Sequence, residues 1–202
     1  MEDLTFAEKI VMALNKDEER KNMIEIQNHN DIASGSVIID KQRVEFEVRF
    51  LMEKRAKMSI PRKSGPMDNT LIQAKYPAKD RPEWIYTLNN PSFDMTATLS
   101  NEKSRDEDTE QIKNNIITIM RTLYPINEIK DNGTIKPFEK AISYFTFDLP
   151  LYDGVICQMM YFTIHHTREM IGTFSCPRAQ GEEWRPIWIQ MLHTLKTGLS
   201  IG

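Results

Sequence analysis

Residues 155–164 read VICQMMYFTI, and residues 169–176 read EMIGTFSC. The short run His165–Arg168 (HHTR) lies between them. In the first stretch Ile156, Met160, Phe162 and Ile164 share one face of a strand, and Val155, Cys157, Met159 and Tyr161 share the other. A strand that is apolar on both sides is a central strand covered on both sides. The spacing therefore predicts a hairpin turning at His165–Arg168, inside a sheet with helices on more than one face. Symmetric closure about His166 and Thr167 sets Cys157 opposite Cys176.

Downstream, Trp184, Ile187, Trp188, Met191, Leu192 and Leu195 recur at helical spacing, which predicts a helix over Glu183–Thr197. Pro186 then falls in its first turn, and Gly198 is a natural C-cap. Upstream, Ile112, Ile116, Ile119, Met120 and Leu123 predict a second amphipathic helix, stopped by Pro125. Asp106, Glu107, Asp108 and Glu110 sit at its start, where negative charge suits the dipole, and Asp108 with Gln111 resembles a capping box. Strands are expected at Lys57–Ile60, Trp84–Leu88, Phe93–Leu99 and Ala141–Phe147, with turns at Asn89–Pro91 and at Asn132–Gly133. Val44, Phe46, Val48 and Phe50 alternate with Glu45, Glu47 and Arg49, which predicts a strand with one face in water and Val37–Asp40 as its hairpin partner. Leu4, Ala7, Ile10, Val11 and Leu14 suggest a short N-terminal helix, so residues 1–33 read as a helical extension to a domain at 34–202.

Composition narrows the function. The chain has 202 residues, 26 Lys plus Arg against 29 Asp plus Glu, and a net charge of −3. That balance argues against a nucleic-acid binder, which needs a basic surface to displace counterions. Lys54, Arg55, Lys57, Arg62 and Lys63 read as a solvated strand end. No apolar run is long enough to cross a bilayer, and acids stand where a signal peptide carries positive charge, so a cytoplasmic protein without membrane contact is expected.

No phosphate-loop, dinucleotide-binding or nucleophile-elbow motif occurs. Cys157 and Cys176, the only thiols, read either as a redox pair or half a metal site, or as two small buried apolar residues. The second reading is preferred. His165 and His166 lie at the far end of the hairpin from the thiols, a poor geometry for a shared zinc ion. His29 and His193 read as surface residues. Asp148 and Asp153 read as turn acids, and the acids at 106–110 lack a calcium-loop order. No catalytic, cofactor-binding or metal-binding residue is therefore assigned, and no cofactor is expected.

Several stretches carry a family resemblance: Ser59–Met67 (SIPRKSGPM) with Lys75–Thr87 (KYPAKDRPEWIYT), Ile142–Asp148 (ISYFTFD), Asp153–Phe162 (DGVICQMMYF), Gly172–Cys176 (GTFSC) and Trp184–Lys196. In this order they resemble uncharacterised bacterial cytoplasmic proteins with the PsbP-like fold, over roughly residues 36–197. The resemblance implies an α+β domain, an antiparallel twisted sheet of about six to seven strands with helices on both faces. That wider fold includes photosystem subunits, a binder of a small nuclear GTPase and Eag-type secretion chaperones. The expectation is a non-enzymatic protein-binding or adaptor module, with a homodimer among its candidate assemblies. The alternatives are a secretion-associated chaperone or immunity-type protein and a small-ligand-binding protein. Trp84, Tyr86, Tyr152 and Trp188 are the candidate anchors for a partner.

Overall fold

The computed structural model describes residues 30–89, 92–123 and 128–198. The helix expected at Leu4–Leu14, turn residues Asn90 and Pro91, and Pro125 lie outside them. The strands are β1 (Ser36–Ile39), β2 (Gln42–Leu51), β3 (Ala56–Pro61), β4 (Gly65–Pro66), β5 (Trp84–Leu88), β6 (Phe93–Lys103), β7 (Ile129–Ile135), β8 (Ile142–Leu151), β9 (Gly154–His165) and β10 (Arg168–Pro177). The helices are α1 (Asn69–Lys75), α2 (Thr109–Leu123) and α3 (Gly181–Thr194). Seven strands form one antiparallel sheet in the order β4-β5-β6-β10-β9-β8-β7, and β1-β2-β3 form a second. The β9–β10 hairpin is central, and Cys176 stands directly opposite Cys157.

One row across the large sheet shows how size is balanced. Gly133 on β7 faces Tyr144, Tyr144 faces Tyr161, Tyr161 faces Gly172, Gly172 faces Ala97, and Ala97 faces Trp84. Two tyrosine rings therefore lie against glycines. A Cβ at Gly133 would stand 3.0 Å from the Tyr144 hydroxyl, and one at Gly172 would stand 2.1 Å from Tyr161 Cζ. This corrects the expected turn at Asn132–Gly133: both residues are paired inside β7. The glycine there makes room for a ring, which local turn chemistry does not reveal.

Each face of this sheet carries a helix. On one face Trp184 of α3 stacks on Phe93 with centroids 4.3 Å apart at 15°, and Trp188, Met191 and Leu192 are fully buried. On the other, Ile112, Ile116, Ile117 and Met120 of α2 cover Phe145, Phe147 and Phe162. Ile119, expected on that apolar face, is 48% exposed, and Ile117 packs on the sheet instead. At the start of α2, Asp108 accepts from the Arg105 N–H at 2.7 Å, which is half of a capping box three residues earlier than expected, since the Arg105 side chain has no acceptor. Helix α3 begins at Gly181, so Pro186 lies in the second turn and not the first. Burial of both tryptophans outweighs the lost hydrogen bond. Leu195, and not Gly198, caps the helix end.

The small sheet corrects a second expectation. Asp40 and Lys41 are both left-handed (φ 48° and 59°) and close the β1–β2 hairpin in two residues. Val44 and Phe46 are buried, but Val48 and Phe50 on the same face are 68% and 61% exposed. Beyond Phe46 the partner is β3, whose buried Met58 and Ile60 stand opposite Arg49 and Glu47. Strand twist thus turns the other face of β2 inward, ending at buried Leu51. Period-two reading assumes that one face stays buried along the whole strand, and here it does not. The segment before β1 is docked: the Ile32 N–H donates to Gln190 at 2.9 Å and Asn30 bonds the backbone of Ile38.

Candidate functional site

The open half of the α2 face holds a cleft of about 690 Å³. One wall is the C-terminal end of α1 with Tyr76 and Pro77, and the other is the β8–β9 hairpin, through Leu149, Leu151, Val155 and Ile156. Asp94, Gln158 and Ser175 form the floor. The last three share one sheet face because Ser175 faces both Asp94 on β6 and Gln158 on β9. Helix α1 is capped by Asp68, which accepts from the Thr70 N–H at 2.8 Å.

Lys75 and Asp94 neutralise each other in the cleft, and Asp153, in the turn between β8 and β9, adds one carboxylate to its lining. Lys75 Nζ donates to Asp94 Oδ2 at 2.6 Å, and Thr87 Oγ1 donates to Oδ1 at 2.7 Å. Burial, and secondarily the Asp94 carboxylate, push the Tyr76 phenol above its ordinary range, so it stays a neutral donor. Among the described residues none bonds the side-chain polar groups of Tyr76, Gln158 or Ser175. Ser175 is only 8% exposed. The cleft thus offers uncommitted neutral donors and acceptors between apolar walls. At its rim the hairpin tip presents Tyr152, fully exposed, beside half-exposed Leu151.

The structure disperses the other candidates. Cys157 and Cys176 are free and buried. A hydrogen bond from Cys176 holds the Cys157 thiol below its ordinary range, and the same bond with burial pushes Cys176 up. Gly181 packs on Cys157, where an added Cβ would meet Sγ at 2.8 Å. His165 is buried, and its Nδ1 accepts from the Gly198 N–H at 3.0 Å. Burial, and then the neighbouring His166, Arg55 and Arg168, hold His165 below its ordinary value. His193 is exposed on α3, and His29 lies outside the described residues. Asp106 binds Lys140 at 2.9 Å. Asp148 is a strand residue, not a turn acid; it pairs with Lys130 at 2.8 Å and Arg178 at 3.0 Å. Among the described residues no three of His, Cys, Asp and Glu converge on one point. Arg55 pairs with Glu53 and Glu83, and Arg62 with Glu45 and Glu47. Of the four proposed anchors, Trp188 is core, Trp84 and Tyr86 are half-buried and stacked at 4.3 Å, and Tyr152 alone is fully exposed.

Seven antiparallel strands, a helix on each face and the hairpin-to-tryptophan-helix closure define the PsbP-like fold. The structure is similar to the solution structure of cyanobacterial PsbP (CyanoP) from Synechocystis. The TM-score is 0.52 at 6% sequence identity, over 75% of this chain and 92% of that one. Two further likenesses have lower scores. One is a protein of unknown function, PA94, from Pseudomonas aeruginosa, with a TM-score of 0.45 at 15% identity, over 77% of this chain and 99% of that one. The other is a crystal structure from Bacteroides thetaiotaomicron, with a TM-score of 0.44 at 11% identity, over 75% of this chain and 48% of that one. No protein-family model and no curated protein matches the sequence.

Proposed function

We propose that this chain is a non-enzymatic protein-binding module that holds a partner's segment in the cleft between α1 and the β8–β9 hairpin. The observation that carries the reading is the pairing of uncommitted neutral hydrogen-bonding groups with a fully exposed tyrosine at the rim. Ser175, Gln158 and Tyr76 suit the peptide groups of a bound segment, and Leu149, Leu151 and Ile156 suit one apolar side chain. These groups face the open cleft, where an occupant can take the place of water as their hydrogen-bond partner. Lys75 and Asp94 are engaged with each other, which favours holding over proton transfer. The test is affinity capture from the native host with the full chain, beside a Leu151→Asp, Tyr152→Ala variant. The expected result is a stable partner held by the parent and lost from the variant. An identical captured set would refute the site.

A second reading, a small-ligand site, is favoured by the cleft volume, which falls in the range of such sites. Native mass spectrometry of the freshly purified chain distinguishes the two. A bound small molecule that disappears in Ser175→Leu supports the ligand, and a bare chain favours the protein partner.

A further inference from the structure

Among the described residues the outer edge of β2 is open over a short window. The Phe46 N–H donates to the Gly35 carbonyl at 2.9 Å, and the Glu45 carbonyl accepts from the Arg62 N–H at 2.7 Å on the β3 side. Backbone groups alternate sides along a strand, so those of Val48 and Phe50 point away from β3. Strand β3 agrees. Ser59, opposite Val48, sends its N–H to Thr194 Oγ1 at 2.8 Å, and Lys57, opposite Phe50, exchanges both its bonds with Lys196 at 2.9 Å. Strand β1 begins only at Ser36, opposite Glu45. No described residue bonds the outward groups of Val48 or Phe50. Edge strands are ordinarily guarded by lysine, proline or a bulge. This window has two exposed apolar side chains and an unbroken register with β3.

We propose that this edge pairs with the same edge of a second copy of the chain, antiparallel about a twofold axis at Arg49. Val48 then stands opposite Phe50 of the partner subunit, and the reverse pair forms by symmetry. Each pair exchanges its backbone hydrogen bonds and joins an aromatic to a β-branched side chain. Two observations select a second copy. The window, residues 47–51, is bounded by Gly35 beside Phe46 and by the left-handed turn that starts at Met52 (φ 48°). A strand of the same length fills it and turns away where Gly35 would block a longer one. Arg49, which faces itself across the axis, is neutralised in its own chain: its Nε donates to Glu47 at 2.5 Å, Nη1 to the Ser64 carbonyl at 2.7 Å, and Nη2 to the Arg62 carbonyl. The window is far smaller than the roughly 20–30 residues a side of a standard interface, so the dimer forms reversibly with concentration.

Sedimentation velocity of the full chain over a rising concentration series tests this, with amide hydrogen exchange at the two ends of the series. The expected result is a monomer–dimer equilibrium in which the Val48 and Phe50 amides gain protection with concentration. Phe50→Lys should raise the dissociation constant by about tenfold or more with an unchanged circular dichroism spectrum, and the uncharged Phe50→Ser should shift it the same way. A dimer of unchanged affinity in both variants would overturn the pairing. So would a monomer at every concentration: protected edge amides in that monomer would assign the edge to residues 1–29 of the same chain, and unprotected ones would leave it to a different protein.

Discussion

Gly172→Ala places a methyl group inside the ring of Tyr161. The new Cβ would stand 2.1 Å from Cζ and 2.2 Å from the hydroxyl, whereas carbon contacts settle near 3.5–4.0 Å. Tyr161 is fully buried between neighbouring strands, and its hydroxyl has no partner among the described residues. The ring therefore has little freedom to yield, and overpacking of this kind costs about 1–3 kcal/mol. Alanine in place of glycine would otherwise stabilise by about 0.4–1 kcal/mol through the unfolded state. The net expectation is a loss of about 1–2 kcal/mol, or a fall of about 2–8 °C in Tm for a chain of this size. Urea unfolding followed by the fluorescence of buried Trp184 and Trp188 measures it. The decisive comparison repeats the change in a Tyr161→Leu background, where the methyl should be neutral or stabilising, giving a coupling of at least about 1 kcal/mol. An equal cost in both backgrounds would refute the ring-over-glycine packing.

Three further outcomes follow from the same core. Gly181→Ala should destabilise through its approach to Cys157 Cβ and Sγ, both at 2.8 Å, and Cys157→Ala, which removes only the sulfur, should recover part of the loss in a thermal melt. Trp188→Ala, at a fully buried site against Phe93 and Phe174, should cost about 3–5 kcal/mol in urea unfolding. His165 is held below its ordinary value of 6.5, so the unfolded chain binds its proton more readily. Stability should therefore fall as pH drops through that value, and His165→Asn should flatten this part of a Tm-against-pH curve.

The core was legible where both faces of an element are buried. The double-sided run at 155–164 marked a central strand, and a symmetric turn was enough to set Cys157 against Cys176. The tryptophan stripe of α3 was equally plain, since large apolar residues at helical spacing need a core to cover them. Readings failed where tertiary contacts overrule local pattern. Gly133 is required by the ring of Tyr144 on the next strand, and β2 changes its buried face when its neighbour changes from β1 to β3. The cleft was not legible at all. Its walls and floor come from four separated stretches, around residues 75, 94, 155 and 175, and no one of them carries a motif. Trp84, Tyr86, Tyr152 and Trp188 look alike as anchors in sequence, and only burial sets Tyr152 apart.

The most direct test of the binding role is photo-crosslinking in the native host with p-benzoylphenylalanine at position 152. Glu102, exposed at the opposite end of the sheet, is the control position. A protein partner held at the hairpin predicts one dominant protein adduct from position 152 that position 102 does not give. No adduct at 152, or the same adducts from both positions, would contradict it.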